Sequence, residues 1–314
     1  FKIILLFCFI FFIKNIAYSK TFDEKILYNY FSALVSLENN NITESLNYFH
    51  SSRELKESHP LYFKKYLFSL VLGGKVQKAI SETKKIEDEK FVDFFEAQLL
   101  LVLDSIKKNE YAKSLEQVKK LKLYEENGTL KFVVSNYLEV FINLFKDKVI
   151  NSELDNQFGK LSLINSTLQR CYLGDDKTEN LFQNLINFEE ETSSRYLFFY
   201  INYLVSKENY LKASNILTDI DPINSTLLVA QTKKWIDKKN YDEIKKIFSC
   251  SNSNDVISEF LFIISNLYST EDAIDKSNFY FNLSYYLNPK FKFNKALLVD
   301  NYYQIKKFAK AKNI

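Results

Sequence analysis

Glycine and proline are nearly missing from this sequence, at five and three in 314 residues. Barrels, sandwiches and nucleotide-binding α/β folds of this length need both residues at their turns, so their scarcity argues for helices joined by short polar turns. Histidine is as rare. His50 and His59 lie nine apart and cannot share one helical face, which makes them a poor metal pair. No CxxC motif surrounds any of the three cysteines. Gly73-Gly74-Lys75 lacks both the spacing and the preceding strand of a phosphate loop. Net charge is only +3, so no global field draws in nucleic acid or anionic lipid. Nothing here implies a cofactor, a metal or catalysis.

What is present is apolar and aromatic. Hydrophobic residues make up 46%, with 29 Phe and 21 Tyr, beside much Lys, Asn and Ile. That combination fits an AT-rich coding bias in which Phe and Tyr fill sites usually held by Leu or Met. Residues 1–19 read as an export signal. Lys2 begins it, Ile3 to Ile13 forms an unbroken apolar run, and Ala17-Tyr18-Ser19 supplies small residues for cleavage after Ser19. Cys8 lies inside that run. Phe1 is not an initiator residue, which suggests a clipped N-terminus. Loss of the signal leaves 40 basic against 39 acidic residues, a net +1.

A pattern recurs along the rest of the chain. An apolar, helix-length segment runs into a polar turn. An aromatic or β-branched anchor follows, and three residues later a small or apolar residue opens a second amphipathic segment. The anchors are Ile42, Val76, Tyr111, Tyr210, Tyr241, Ile274 and Phe308, at spacings of 34, 35, 99, 31, 33 and 34. The third is three times 33. The residues three further on are Ser45, Ala79, Ser114, Ala213, Ile244, Ser277 and Ala311. Phe49, Val118, Leu217, Phe248 and Phe281 then supply large apolar groups four residues later, with Thr83 the exception.

With that period and those positions, the chain resembles the tetratricopeptide-repeat family over roughly residues 25–314. The fullest repeat runs from Ser258 to Pro289. The resemblance implies an all-α fold, a right-handed α-solenoid of helix-turn-helix repeats, in which the paired helices cross at the small residues. Residues 20–126 and 191–314 carry the regular repeats, the latter cut short. Residues 127–190 are irregular: Thr178 fits a second-helix start in phase with Tyr210, while Val149 to Leu163 is more polar. Ala311 is followed by three residues only, so the sequence reads as a fragment of a longer frame. Cys171 and Cys250 fall more than two repeats apart. Stacked repeats advance about 10 Å each, beyond disulfide reach, so both are expected to be isolated buried hydrophobes.

The resemblance also implies a function. First helices of such arrays line a concave groove that holds a peptide or helix. By register the groove positions fall on Tyr30, Lys64, Phe68, Arg195, Phe198, Asn202, Lys233, Phe262, Asn266, Asp300 and Tyr303. The expected protein is an exported scaffold or adaptor of a bacterial periplasm or envelope. It would bind a protein or peptide, with no nucleic acid and no membrane span after signal cleavage. The alternative is the helical arm of a cell-wall enzyme of the lytic transglycosylase kind, its catalytic domain lying elsewhere.

Overall fold

The computed structural model describes residues 23–152, 154, 156–187 and 193–314; the expected export signal lies outside the described residues. Those residues form seventeen α-helices and three short 3-10 turns, with no strand among them. The helices are α1 Glu24–Glu38, α2 Ile42–Ser51, α3 Pro60–Leu72, α4 Val76–Lys84, α5 Phe95–Lys107 and α6 Tyr111–Lys122. Then follow α7 Leu130–Asp147, α8 Lys160–Leu173, α9 Thr178–Ile186, α10 Ser193–Ser206, α11 Tyr210–Leu217 and α12 Leu227–Asp237. The last are α13 Tyr241–Ile247, α14 Ser253–Thr270, α15 Ile274–Leu287, α16 Lys295–Gln304 and α17 Phe308–Lys312.

All seven anchors are the first residue of a helix: α2, α4, α6, α11, α13, α15 and α17. The turn before each is the same. The residue two before the anchor is left-handed, at Asn40, Gly74, Asn109, Glu208, Lys239, Asp272 and Lys306. The next N–H then donates to the carbonyl five residues back, as from Asn41 to Ser36, Lys75 to Leu70 and Lys307 to Tyr302, each at 2.8 Å. This hydrogen bond satisfies a carbonyl that the ending helix would leave orphaned. At Gly74 the missing Cβ makes the left-handed backbone free of strain. Glu208, Lys239, Asp272 and Lys306 adopt it despite their side chains.

The chain divides into two compact units after Ser58. In the first, α1 crosses α2 where Ala33 and Ser45 are fully buried, and the Ser45 hydroxyl donates to the Ala33 carbonyl at 2.9 Å. Phe49 fills the space beneath the Tyr30 ring, 6.4 Å between centroids.

In the second unit most helices pack on their sequence neighbours, including α6 on α7 and α9 on α10. Ala79, Ser114, Ala213 and Ser277 are completely buried at the crossings. The irregular stretch contains α7, which has no second helix after it, and then the pair α8–α9 beginning its second helix at Thr178.

The hairpin α14–α15 departs from neighbour-on-neighbour packing. It also packs against α3, α4, α5, α7 and α8. Phe279 stacks on Phe68 at 5.0 Å, and Phe260 sits against Tyr137 and Phe141. Lys107 donates to the Tyr286 carbonyl at 2.8 Å, and the Tyr286 hydroxyl to Gln77 at 2.7 Å. Thirteen of the 18 residues of α14 are buried, so it is enclosed on all sides.

This return of the chain corrects the expectation for the cysteines. Cys171 and Cys250 form a disulfide, with Cα atoms 5.5 Å apart across 79 residues. The expectation assumed that each repeat steps onward from the last. Instead the end of α8 and the loop after α13 are brought together around the central hairpin.

Candidate functional site

Helix α10 is buried almost all round from Tyr196 to Val205, and Arg195 stands just before that stretch in its first turn. The Arg195 guanidinium reaches α14. Its Nε donates to Glu259 Oε1 at 2.8 Å and its Nη2 to Glu259 Oε2, a two-pronged ion pair. Nη2 also donates to Asn294 Oδ1 at 2.9 Å. The rings of Phe262, Phe291 and Phe199 surround the cation at 4.0, 5.1 and 5.3 Å. The Glu259 side chain is 1% exposed. Burial, then the Glu259 carboxylate, holds the neighbouring Tyr196 hydroxyl far above its ordinary proton affinity, so it stays neutral. Arg195, Glu259 and Asn294 hold one another, which suits the cluster to fixing α10 against α14.

The other groove positions are spread over distinct settings. Tyr30 is buried in the first unit. Phe198 is fully buried and stacks on Phe291 at 5.3 Å. Phe68 lies under Phe279, and Phe262 packs with Phe281 and Leu297. Asn202 is buried, and its amide donates to the carbonyls of Ile244 and Phe248 at 3.0 and 2.9 Å, closing the end of α13. Lys233 does the same for α11 through the Leu217 carbonyl at 2.6 Å. Lys64 is half-buried, 3.7 Å from Glu96, and Asn266 is also half-buried. Asp300 is exposed, and so is Tyr303. The structure therefore gathers Arg195, Phe198 and Phe262 at one point. It keeps Lys64, Asp300 and Tyr303 in reach of solvent.

Sequence reasoning missed the partner of Arg195. Glu259 is the one charge inside the apolar run Val256 to Ile264, and a charge on an all-apolar helix needs a partner. It also missed Asn301, whose amide bridges Ser277 and Asn278 at 2.8 Å each while its oxygen accepts from Ser269 at 2.6 Å. Asn165, Gln169 and Thr178, around the α8–α9 pair, are buried with side-chain atoms that find no hydrogen-bond partner in the protein. Among the described residues no group of three or more His, Cys, Asp or Glu could hold a metal.

These features define an all-α protein of many packed helices, consistent with a helical-repeat plan. No known protein-family model matches the chain, and no curated protein is significantly similar to it.

Proposed function

We propose that the chain is an exported, tetratricopeptide-like scaffold or adaptor, a right-handed α-solenoid in plan, that binds a protein or peptide and carries out no catalysis. The observation that carries this reading is the sevenfold recurrence of one helix-turn-helix geometry at the 34-residue period. Export to a bacterial periplasm or envelope is supported by the Cys171–Cys250 disulfide, which persists in oxidising compartments. The partner's contact is assigned to groove positions that keep some contact with solvent: Lys64, Asn266, Asp300 and Tyr303. A mix of cation, carboxylate, amide and aromatic is the composition that holds an extended peptide.

Affinity capture from a bacterial envelope extract tests this, with the Lys64→Glu and Asp300→Arg chains run in parallel. One protein should be enriched by the parent chain and weakened at least several-fold by either charge reversal. Equal capture by all three chains would remove the groove from the reading.

A further inference from the structure

Asn127 and Gly128 are the one Asn–Gly pair in the sequence. They form the tip of the loop between α6 and α7, and both are exposed. The residues on either side are tied to α7. The Thr129 hydroxyl donates to the Glu126 carbonyl at 2.7 Å and accepts the Phe132 N–H at 3.4 Å, which caps the helix. The Glu125 carboxylate accepts from the Ser135 hydroxyl and, at 3.3 Å, from the Asn136 amide. The tip itself is closed by one backbone hydrogen bond, from the Thr129 N–H to the Glu126 carbonyl at 3.1 Å. Gly128 is left-handed, and no atom lies within 4 Å of the place where a Cβ would stand. The Asn127 side chain meets no hydrogen-bond partner among the described residues.

Asn165, Asn224 and Asn252 also precede a small residue, serine in each case, and each is held. Asn165 is fully buried within α8. The Asn224 amide donates to Asp221 Oδ2 at 2.6 Å. Asn252 caps α14, its Oδ1 accepting from the Asn254 and Asp255 N–H groups at 2.9 and 3.2 Å.

We propose that Asn127 is a site of spontaneous covalent modification, at which the side-chain amide is lost and the chain comes to carry aspartate or isoaspartate. The nucleophile is the Gly128 backbone nitrogen, which attacks Asn127 Cγ. An N–C bond forms, the Cγ–Nδ2 bond breaks, and the Gly128 amide proton leaves with the amide as ammonia. The product is a five-membered cyclic imide. Water then adds to one of its two carbonyl groups and opens the ring, to aspartate by one route and to isoaspartate by the other. Water is the only other reactant, and nothing is oxidised or reduced. Glycine suits this step because it puts no Cβ beside the attacking nitrogen and lets the tip change its backbone angles freely. Either product places a carboxylate next to Glu125 and Glu126, ahead of the α7 N-terminus, where free N–H groups favour an anion. Isoaspartate also adds a methylene to the main chain two residues before the Thr129 cap.

The test is incubation of the full chain at mildly alkaline pH, with digestion and peptide mass spectrometry over time. Enzymatic methylation marks the isoaspartate. The amide-to-acid mass gain should appear first in the peptide that holds Asn127. Its rate should lie within about threefold of that in the urea-unfolded chain, because an exposed tip needs no opening before it reacts. The peptides of Asn165, Asn224 and Asn252 should fall about tenfold or more below their own unfolded rates, since each side chain must first be released. Asn127→Gln should abolish the gain in its peptide and leave the others as they were, because the longer side chain does not close the same ring readily. A tenfold slowing of Asn127 by folding, an earlier gain at any of the other three, or a gain that survives Asn127→Gln overturns the proposal.

Discussion

Arg195 and Glu259 show how much a single pair can carry when both members leave water. Each is costly to bury alone, and the two-pronged geometry offsets that cost only while both are present. Glu259→Ala should therefore destabilise by about 3–5 kcal/mol in urea denaturation, because it strands the arginine among three rings. A change below about 1 kcal/mol would mean that water already reaches the pair. Asp255 is a quieter case. Burial raises its carboxyl to about 6 from 3.8, and the Ser249 N–H and the Lys290 charge only partly oppose this. Between about pH 4 and 6 the folded chain thus holds a proton that the unfolded chain has released. Its contribution is greatest in acid and is lost as the pH rises through 6. Asp255→Asn keeps an acceptor for Ser249 and should match the parent near pH 4. At pH 7 it should be more stable by about 1–3 kcal/mol in chemical denaturation. A variant less stable than the parent at pH 7 would show that the Lys290 attraction outweighs burial.

At the scale of elements, the turns were legible and their residues only partly so. The anchors placed the starts of seven helices because the 34-residue period is local information, repeated by the chain itself. Asn40, Gly74 and Asn109 announce a left-handed turn; Glu208, Lys239, Asp272 and Lys306 do not, and take that conformation because the hydrogen bond across the turn imposes it. Lys239 is exposed, so Lys239→Gly should stabilise by about 0.5–1 kcal/mol, read from the denaturation midpoint. Ser277 tests the crossings. It is fully buried and its hydroxyl lies 3.2 Å from that of Ser265. Ser277→Leu should cost about 1–3 kcal/mol by overpacking, and an unchanged melting temperature would mean that the two helices separate at no cost. The helix α8 was not legible, because its mixture of Ser, Asn, Thr and Gln gives no clear apolar stripe.

The whole molecule adds what no segment contains. In the second unit the hairpin α14–α15 is the centre, and its partners lie as far as 210 residues away along the chain. Such contacts must overcome a large loop entropy, and the Cys171–Cys250 bond lowers it by closing 79 residues. Reduction by an excess of dithiol, or the Cys171→Ser/Cys250→Ser chain, should lower stability by about 2–4 kcal/mol, visible as a shifted thermal transition. If reduction leaves the transition where it was, the packed helices alone hold the ends of α8 and α13 together.

Composition and period determined that this chain is helical, where its helix pairs turn, and which small residues sit at their crossings, since each of these rests on neighbours in sequence. The same period says nothing about which pair will be enclosed by the others. Ser258 to Pro289 looked like the most regular repeat, yet its helices are buried without a break from Val256 to Ser265 and from Ser277 to Phe281. Only folding could decide that this hairpin becomes a core and not one more step in a row. The reason is physical: large apolar groups such as Phe260, Phe262, Phe279 and Phe281 have to be covered, and the helices that cover them include ones far away in the chain. That decision placed Phe68, Arg195, Phe198 and Phe262 against the chain's own helices, joined the two cysteines, and left Tyr303 and Phe308 at the surface.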